Sequence, residues 1–243
     1  MIGNVMRLGN LLPFGQDIES GEFVDVGSVP NGDKCGCICP SCKTFLTARQ
    51  GEKNEWHFAH KVNKSHNSTK VPCDFSFYVS VRMMIRQISE TGLDLKIPLL
   101  NVPSQNYDET KKILLPVNLP VVSREHIHLQ NVRVGEKFSG VLVDVVASVQ
   151  CVPFVIFVSY KDRLVPIELF DPKESKAGVI EFDAKALREA FQKTKNGQYL
   201  EALKSFLMNE VEGKRWIYHP RYKEVEQKAF IQSEDAKKQK NLP

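Results

Sequence analysis

Cys39-Pro40-Ser41-Cys42 and, a short stretch later, His57-Phe58-Ala59-His60 place two thiols and two imidazoles at short, fixed spacings. Thiolate sulfur and imidazole nitrogen are the ligands of tetrahedral zinc, and a C-x2-C pair presents two thiolates on one tight turn that a second pair can close. The preferred ligand set is Cys39, Cys42, His57 and His60, because Pro40 stiffens the knuckle and two residues separate the members of each pair. Cys73 is the alternative fourth ligand, and spacing leaves open whether Cys35 and Cys37 touch metal or only shape the preceding loop. The competing readings are free cysteines beside packed histidines, or a disulfide pair in an exported protein. The tight clustering of ligands and the lack of a secretion signal favour metal. A segment this polar has little apolar surface to hold it together, so the zinc is expected to be structural and its removal to unfold the segment locally.

The elements that must position these residues are ordinary globular material. The chain has 243 residues, of which 42% are hydrophobic and 26% charged, enough for one substantial core beside a small metal-stapled module. Its first residues lack a basic stretch followed by an unbroken apolar run, and no segment approaches a membrane span, so a cytoplasmic, reducing location without membrane contact is expected. There, clustered cysteines serve better as metal ligands than as disulfides, and the lone Cys151 reads as a core residue. The net charge of +4 is unevenly spread: residues 43–70 hold Lys43, Arg49, Lys53, Lys61, Lys64 and Lys70 against Glu52 and Glu55. Such a patch suits phosphates, although many basic surfaces serve only solubility.

Three parts are expected: a β-rich zinc-binding module over residues 1–73, an α/β domain over 74–220, and a helix with a polar tail over 221–243. Apolar residues at helical spacing predict a helix from Phe75 to Thr91, stopped by Gly92. Strands are predicted at 93–100, 113–117, 128–134, 141–149, 154–160, 165–169 and 179–182. The runs Val141–Val146 and Pro153–Val158 are apolar enough to be central strands covered by helices. Helices are predicted at 184–194, 199–209 and from Arg221, fraying over 233–243. The fold class is thus α+β or α/β, with a small β-rich module ahead of a mixed sheet flanked by helices.

This order of parts resembles the competence-protein CoiA-like family, which joins a zinc-binding N-terminal segment to a restriction-endonuclease-like nuclease domain. The specific part of the resemblance runs through Asn31-Gly32-Asp33-Lys34-Cys35-Gly36-Cys37-Ile38-Cys39-Pro40-Ser41-Cys42, Ala48-Arg49-Gln50-Gly51-Glu52-Lys53, His57-Phe58-Ala59-His60 and Cys73. A looser part runs through Val143-Asp144-Val145, Phe154–Ser159 and Val179-Ile180-Glu181-Phe182-Asp183.

The resemblance implies hydrolysis of phosphodiesters with magnesium held by carboxylates, and it makes Asp144 the first metal-binding aspartate and candidate catalytic residue. The rest of the family's set is missing. Its helix glutamate and histidine fall on Tyr78 and Arg82, its second sheet carboxylate on Phe157, its Thr-His on Lys161-Asp162, and its lysine on Ile167 or Glu168. Read without the family, Asp144 between valines is a buried charge that must be paired or neutralised. Arg163 reads as a solvated strand end, Trp216 as core packing ahead of base stacking, and Arg82 as a surface residue or a phosphate contact. The expected function is a zinc-containing, nuclease-like, nucleic-acid-binding protein without catalysis, acting as a binding or accessory subunit. Its expected contacts are Lys43, Arg49, Lys53, Lys61, Lys64 and Arg82, its partner DNA ahead of RNA, with a protein partner in addition. Two readings compete with it. One is an active magnesium-dependent DNA nuclease with a carboxylate relocated to Glu136, Asp162 or Glu168. The other is an interaction protein in which zinc only holds the fold.

Overall fold

A computed structural model describes residues 11–61, 73, 75–173 and 176–241. In the N-terminal segment β1 (Phe14–Asp17) pairs antiparallel with β2 (Phe23–Asp25) and β3 (Cys37–Ile38), and β4 (Leu46–Arg49) forms a hairpin with β5 (His57–His60). Strand alternation sorts the side chains: Leu46, Ala48 and Phe58 turn inward and are buried, while Arg49 is exposed. α1 (Phe77–Glu90) follows, capped by Ser76, whose hydroxyl accepts from the Val79 amide. Phe77, Val81, Met84 and Ile85 make its buried stripe, and Gly92, at φ +89°, turns the chain out of the helix.

The second half builds a mixed sheet in the order β10 (Gln130–Val134), β13 (Val145–Val149), β14 (Val152–Ser159), β15 (Gly178–Asp183) and β16 (Lys214–Tyr218). β14 and β15 run parallel; the other neighbours are antiparallel. β14 is central and buried from Phe154 to Ser159, as its apolar run requires. α1, α2 (Ala184–Gln192) and α3 (Tyr199–Asn209) share a core with the face bearing Phe154, Ile156, Val158 and Ile180. The opposite face, with Val155, Phe157 and Val179, packs against Phe138, Val143 and Leu169. These come from the region of the short hairpin of β11 (Lys137–Phe138) and β12 (Val141–Leu142) and from a 3-10 turn, Ile167–Leu169.

That turn stands where a strand over 165–169 is expected. Pro166 starts it, and Leu164 and Ile167 are 78% and 76% exposed, so Leu169 is the buried residue of this stretch, with Val165 packed partly against the same core. Cys151, expected inside, is exposed at the tight turn between β13 and β14, where Gln150 and Cys151 both take positive φ, 51° and 67°. β6 (Asp94–Lys96) pairs with β9 (His126–His128), and β7 (Leu100–Asp108) with β8 (Ile113–Val122). α4 (Tyr222–Lys240) lays Val225 and Ala229 on Val102 and Val121 of that second ribbon. It continues through the stretch whose polarity reads as a frayed tail. Ser233 accepts from the Gln105 amide at 3.1 Å, Ala236 is buried, and Lys237 and Lys238 pair with Glu234 and Asp235.

The core is continuous across the expected boundary at residue 73. Phe191 of α2 meets Phe14 and Phe77 edge-on at 6.1 and 5.6 Å. Asp25 accepts from the Gly27 amide at 2.8 Å and from the Leu200 amide of α3 at 2.7 Å. Gly27 lies so close to Gly197 that a Cβ on it would stand 2.2 Å from the Gly197 carbonyl oxygen. Among the described residues no helix is long and apolar enough to cross a membrane. Asp25→Ala leaves two backbone donors without their acceptor and is expected to lower the unfolding free energy by about 2 kcal/mol within one cooperative transition. Denaturant unfolding followed by circular dichroism and tryptophan fluorescence checks this; two separated transitions would show that the N-terminal segment folds independently.

Candidate metal centre and arginine-held aspartate

Cys39 is buried at 0% and opens a turn closed by the Lys43 amide on the Cys39 carbonyl at 2.9 Å and by the Cys39 amide on the Thr44 carbonyl at 2.8 Å. Lys43, at φ 56°, reverses the chain so that Cys42 returns beside Cys39. β5 supplies the next donor. Residues three apart on a strand face opposite sides. The register Leu46↔His60 and Ala48↔Phe58 puts His60 on the inner face, whereas His57, opposite Arg49, lies on the outer one. His57 Nδ1 instead lies 2.8 Å from the Glu55 carbonyl oxygen.

The fourth position of the cluster is held by Cys73 and not by His57. Its Sγ lies 3.4 Å from Cys39 Sγ and 3.4 Å from His60 Nε2, and the ligand atoms of Cys39, Cys42, His60 and Cys73 all fall within 4.8 Å of one another. Zn–S bonds of ~2.3 Å place tetrahedral sulfurs about 3.7 Å apart, so a zinc ion fits once the ligand atoms adjust their spacing by up to about 1 Å. Three thiols and one imidazole form a closed set of the structural type. Burial pushes the Cys39 thiol up to about 12, and a bound cation would favour its thiolate, so metal uptake releases protons. Cys35 and Cys37 lie outside the cluster. Their thiols donate to the carbonyls of Leu46 at 3.1 Å and Cys35 at 3.3 Å, and both are buried.

Asp144 occupies the break between β12 and β13 and is 0% exposed. Its Oδ1 accepts from Arg82 Nε at 2.5 Å and Arg86 Nε at 2.9 Å; its Oδ2 accepts from the Val158 amide at 2.7 Å and Arg163 Nη1 at 2.6 Å. Arg82 and Arg86 are one turn apart on α1, so a single helix face presents both. Arg163 follows β14; its guanidinium carbon lies 3.8 Å from the Phe157 ring centroid and its Nη2 donates to the Leu142 carbonyl at 3.1 Å. Where the resemblance places a second carboxylate, Phe157 thus provides an apolar platform for an arginine. Burial pulls the Arg163 guanidinium below its ordinary value, opposed by the Asp144 charge beside it.

Of the carboxylates considered for relocation, Glu136, Asp162 and Glu168 are exposed, and Glu136 faces Arg133 at 3.9 Å. Tyr78 stacks on Tyr160 at 5.6 Å with an interplanar angle of 4°. Among the expected nucleic-acid contacts, Lys43, Arg49 and Lys53 are exposed, Lys61 pairs with Asp33 at 2.9 Å, and Lys64 lies outside the described residues. Arg82 has its Nε committed to Asp144. Arg86 is a partner that the sequence motifs do not point to, and Arg163 is mostly buried where a solvated strand end is expected. The signal for both was the lone aspartate between valines, which demands a cation, and a second arginine one helical turn from Arg82.

Residues 31–68 match the family model described as Competence protein CoiA, N-terminal domain. The match takes in Cys39, Cys42 and His60 and makes this segment CoiA-like; Cys73, Asp144 and the three arginines lie beyond it. Comparisons with curated proteins and with solved structures returned no match.

Cys73→Ser and His60→Ala are expected to abolish stoichiometric zinc, measured by elemental analysis of purified protein, while His57→Ala retains it. Retention in Cys73→Ser together with loss in His57→Ala would contradict the cluster.

Proposed function

We propose that this chain is a zinc-containing, nuclease-like protein that binds nucleic acid, DNA ahead of RNA, without cleaving it, and acts as a binding or accessory subunit. The observation that carries this reading is the occupation of Asp144. A carboxylate offers about four lone-pair sites, and Arg82, Arg86, Arg163 and the Val158 amide take them. Magnesium needs oxygen ligands with free lone pairs and negative charge around it. Here three guanidiniums surround one carboxylate, and the position of a second carboxylate is a phenyl ring, so the residues present do not fit the ion.

The same arrangement favours anions. The cluster carries a surplus of positive charge, and among the described residues Arg82 is held through its Nε on Asp144, which leaves its terminal nitrogens turned to other acceptors. The stacked Tyr78–Tyr160 pair lies alongside, since Tyr78 is one turn before Arg82 on α1 and Tyr160 follows β14. Lys43, Arg49 and Lys53 add exposed positive charge in the N-terminal segment. In this reading zinc is structural: it fastens that segment to the entrance of α1, and phosphate contacts supply the affinity.

Band-shift titrations with labelled single- and double-stranded DNA and RNA, with and without magnesium or manganese, test the proposal. Retention without cleavage is expected, with log affinity falling by about 0.7–0.9 per neutralised phosphate for each unit of log salt. Metal-dependent cleavage would restore a nuclease, and flat salt dependence or no binding would leave an interaction protein.

A further inference from the structure

A cleft of about 1160 Å³ lies toward the Phe154–Gly178 end of β14 and β15, whereas Asp144 bonds Val158 near the other end. Trp216, Phe154, Ile127 and Val149 give it apolar walls. Gly178 makes room for the indole: a Cβ there would stand 3.1 Å from the Trp216 ring. Trp216 Nε1 is anchored on the Pro98 carbonyl at 2.9 Å, and Phe154 meets the ring edge-on at 5.9 Å.

Three cations line the cleft from three separate segments: Arg124 between β8 and β9, Lys176 ahead of β15, and Arg221 ahead of α4. All are exposed, and none forms an ion pair among the described residues. The carboxylate that lines it, Asp94, is already held by His128 Nδ1 at 2.7 Å. His219 also lines the cleft, its ring edge-on to Trp216 at 5.0 Å and its Nδ1 accepting from the Arg221 amide at 3.3 Å. With Nδ1 an acceptor, Nε2 is left as a donor.

Apolar, aromatic walls beside a cluster of unpaired cations select a ligand that joins a flat apolar body to a multiply charged anion. Ligand pockets of about 300–1,000 Å³ hold drug-sized molecules, so the cleft has room for a nucleotide and the start of a neighbour. A phosphate dianion matches several cations where a carboxylate would leave most of them unanswered. We propose that this cleft binds a nucleoside phosphate, with the base against the Trp216 side and the phosphate on Arg124, Lys176 and Arg221. The same chemistry is offered by a free nucleotide and by the phosphorylated end of a strand. The site shares no residue with the metal cluster or the Asp144 centre and stands or falls separately from them.

Equilibrium dialysis of the zinc-loaded full chain with radiolabelled AMP, adenosine and a short 5′-phosphorylated strand tests it. Saturable binding of AMP or the strand is expected, with adenosine about tenfold weaker. Arg124→Ala, Lys176→Ala and Arg221→Ala should each weaken the phosphorylated ligand several-fold at an unchanged thermal midpoint, while Lys111→Ala, between β7 and β8 and outside the cleft, leaves it alone. Strand binding that is tighter than AMP and falls in the three alanine variants assigns the site to strand ends; equal or tighter AMP assigns it to free nucleotide. No saturable binding of either, adenosine as tight as AMP, or indifference to all three alanine variants would overturn the proposal.

Discussion

The structure is organised around one buried carboxylate. Asp144 is fully removed from solvent, a position that an unpaired charge cannot hold without a penalty of several kcal/mol. Its charge is met by two arginines from α1 and one from the turn after β14, and its remaining acceptor site by a backbone amide of β14. The consequence is architectural. Arg82 and Arg86 fix α1 against the sheet, and Arg163 ties the end of β14 to the β12 carbonyl at Leu142. A metal-binding carboxylate must keep lone pairs free; this one spends them on holding elements together.

The cysteine and histidine cluster works on the same helix from its other end. Cys39 and Cys42 sit on the knuckle, His60 on β5, and Cys73 just ahead of α1, so a bound ion would join three pieces of chain. The apolar core completes the linkage. Phe14 and Phe77 both meet Phe191, and Gln87 of α1 exchanges hydrogen bonds with the backbone of Phe23 at 2.6 and 2.9 Å. Metal cluster, helix and arginine-held aspartate therefore form one continuous mechanical path.

Much of this was legible in the sequence where the signal was local. α1, α2 and α3 lie close to where helical spacing of apolar residues puts them, and the run Pro153–Val158 is the central strand β14, buried on both faces, whereas the run Val141–Val146 is broken at Asp144 into β12 and the start of β13, whose residues alternate. The failures at β7 and at the metal ligands share a cause: they depend on partners distant in the chain. β7 reads Leu100-Asn-Val-Pro-Ser-Gln-Asn-Tyr-Asp, too polar for a strand until α4 covers its other partner surface. His57 and His60 form a plausible chelating pair only if the segment is not a strand; once β5 pairs with β4, alternation separates them and the distant Cys73 closes the set. Asp144 and Arg82 each stand out in the sequence, but their union, and the parts of Arg86 and Arg163, depend on the folded sheet.

The central claim is that Asp144 is a structural charge and not a metal ligand. The most direct measurement is the unfolding free energy of zinc-loaded Asp144→Asn against the parent chain. The amide keeps the shape but removes the charge that balances three mostly buried guanidiniums, and a loss of about 3–5 kcal/mol is expected. A variant as stable as the parent or more so, as when a carboxylate held ready for a cation is neutralised, would contradict the account.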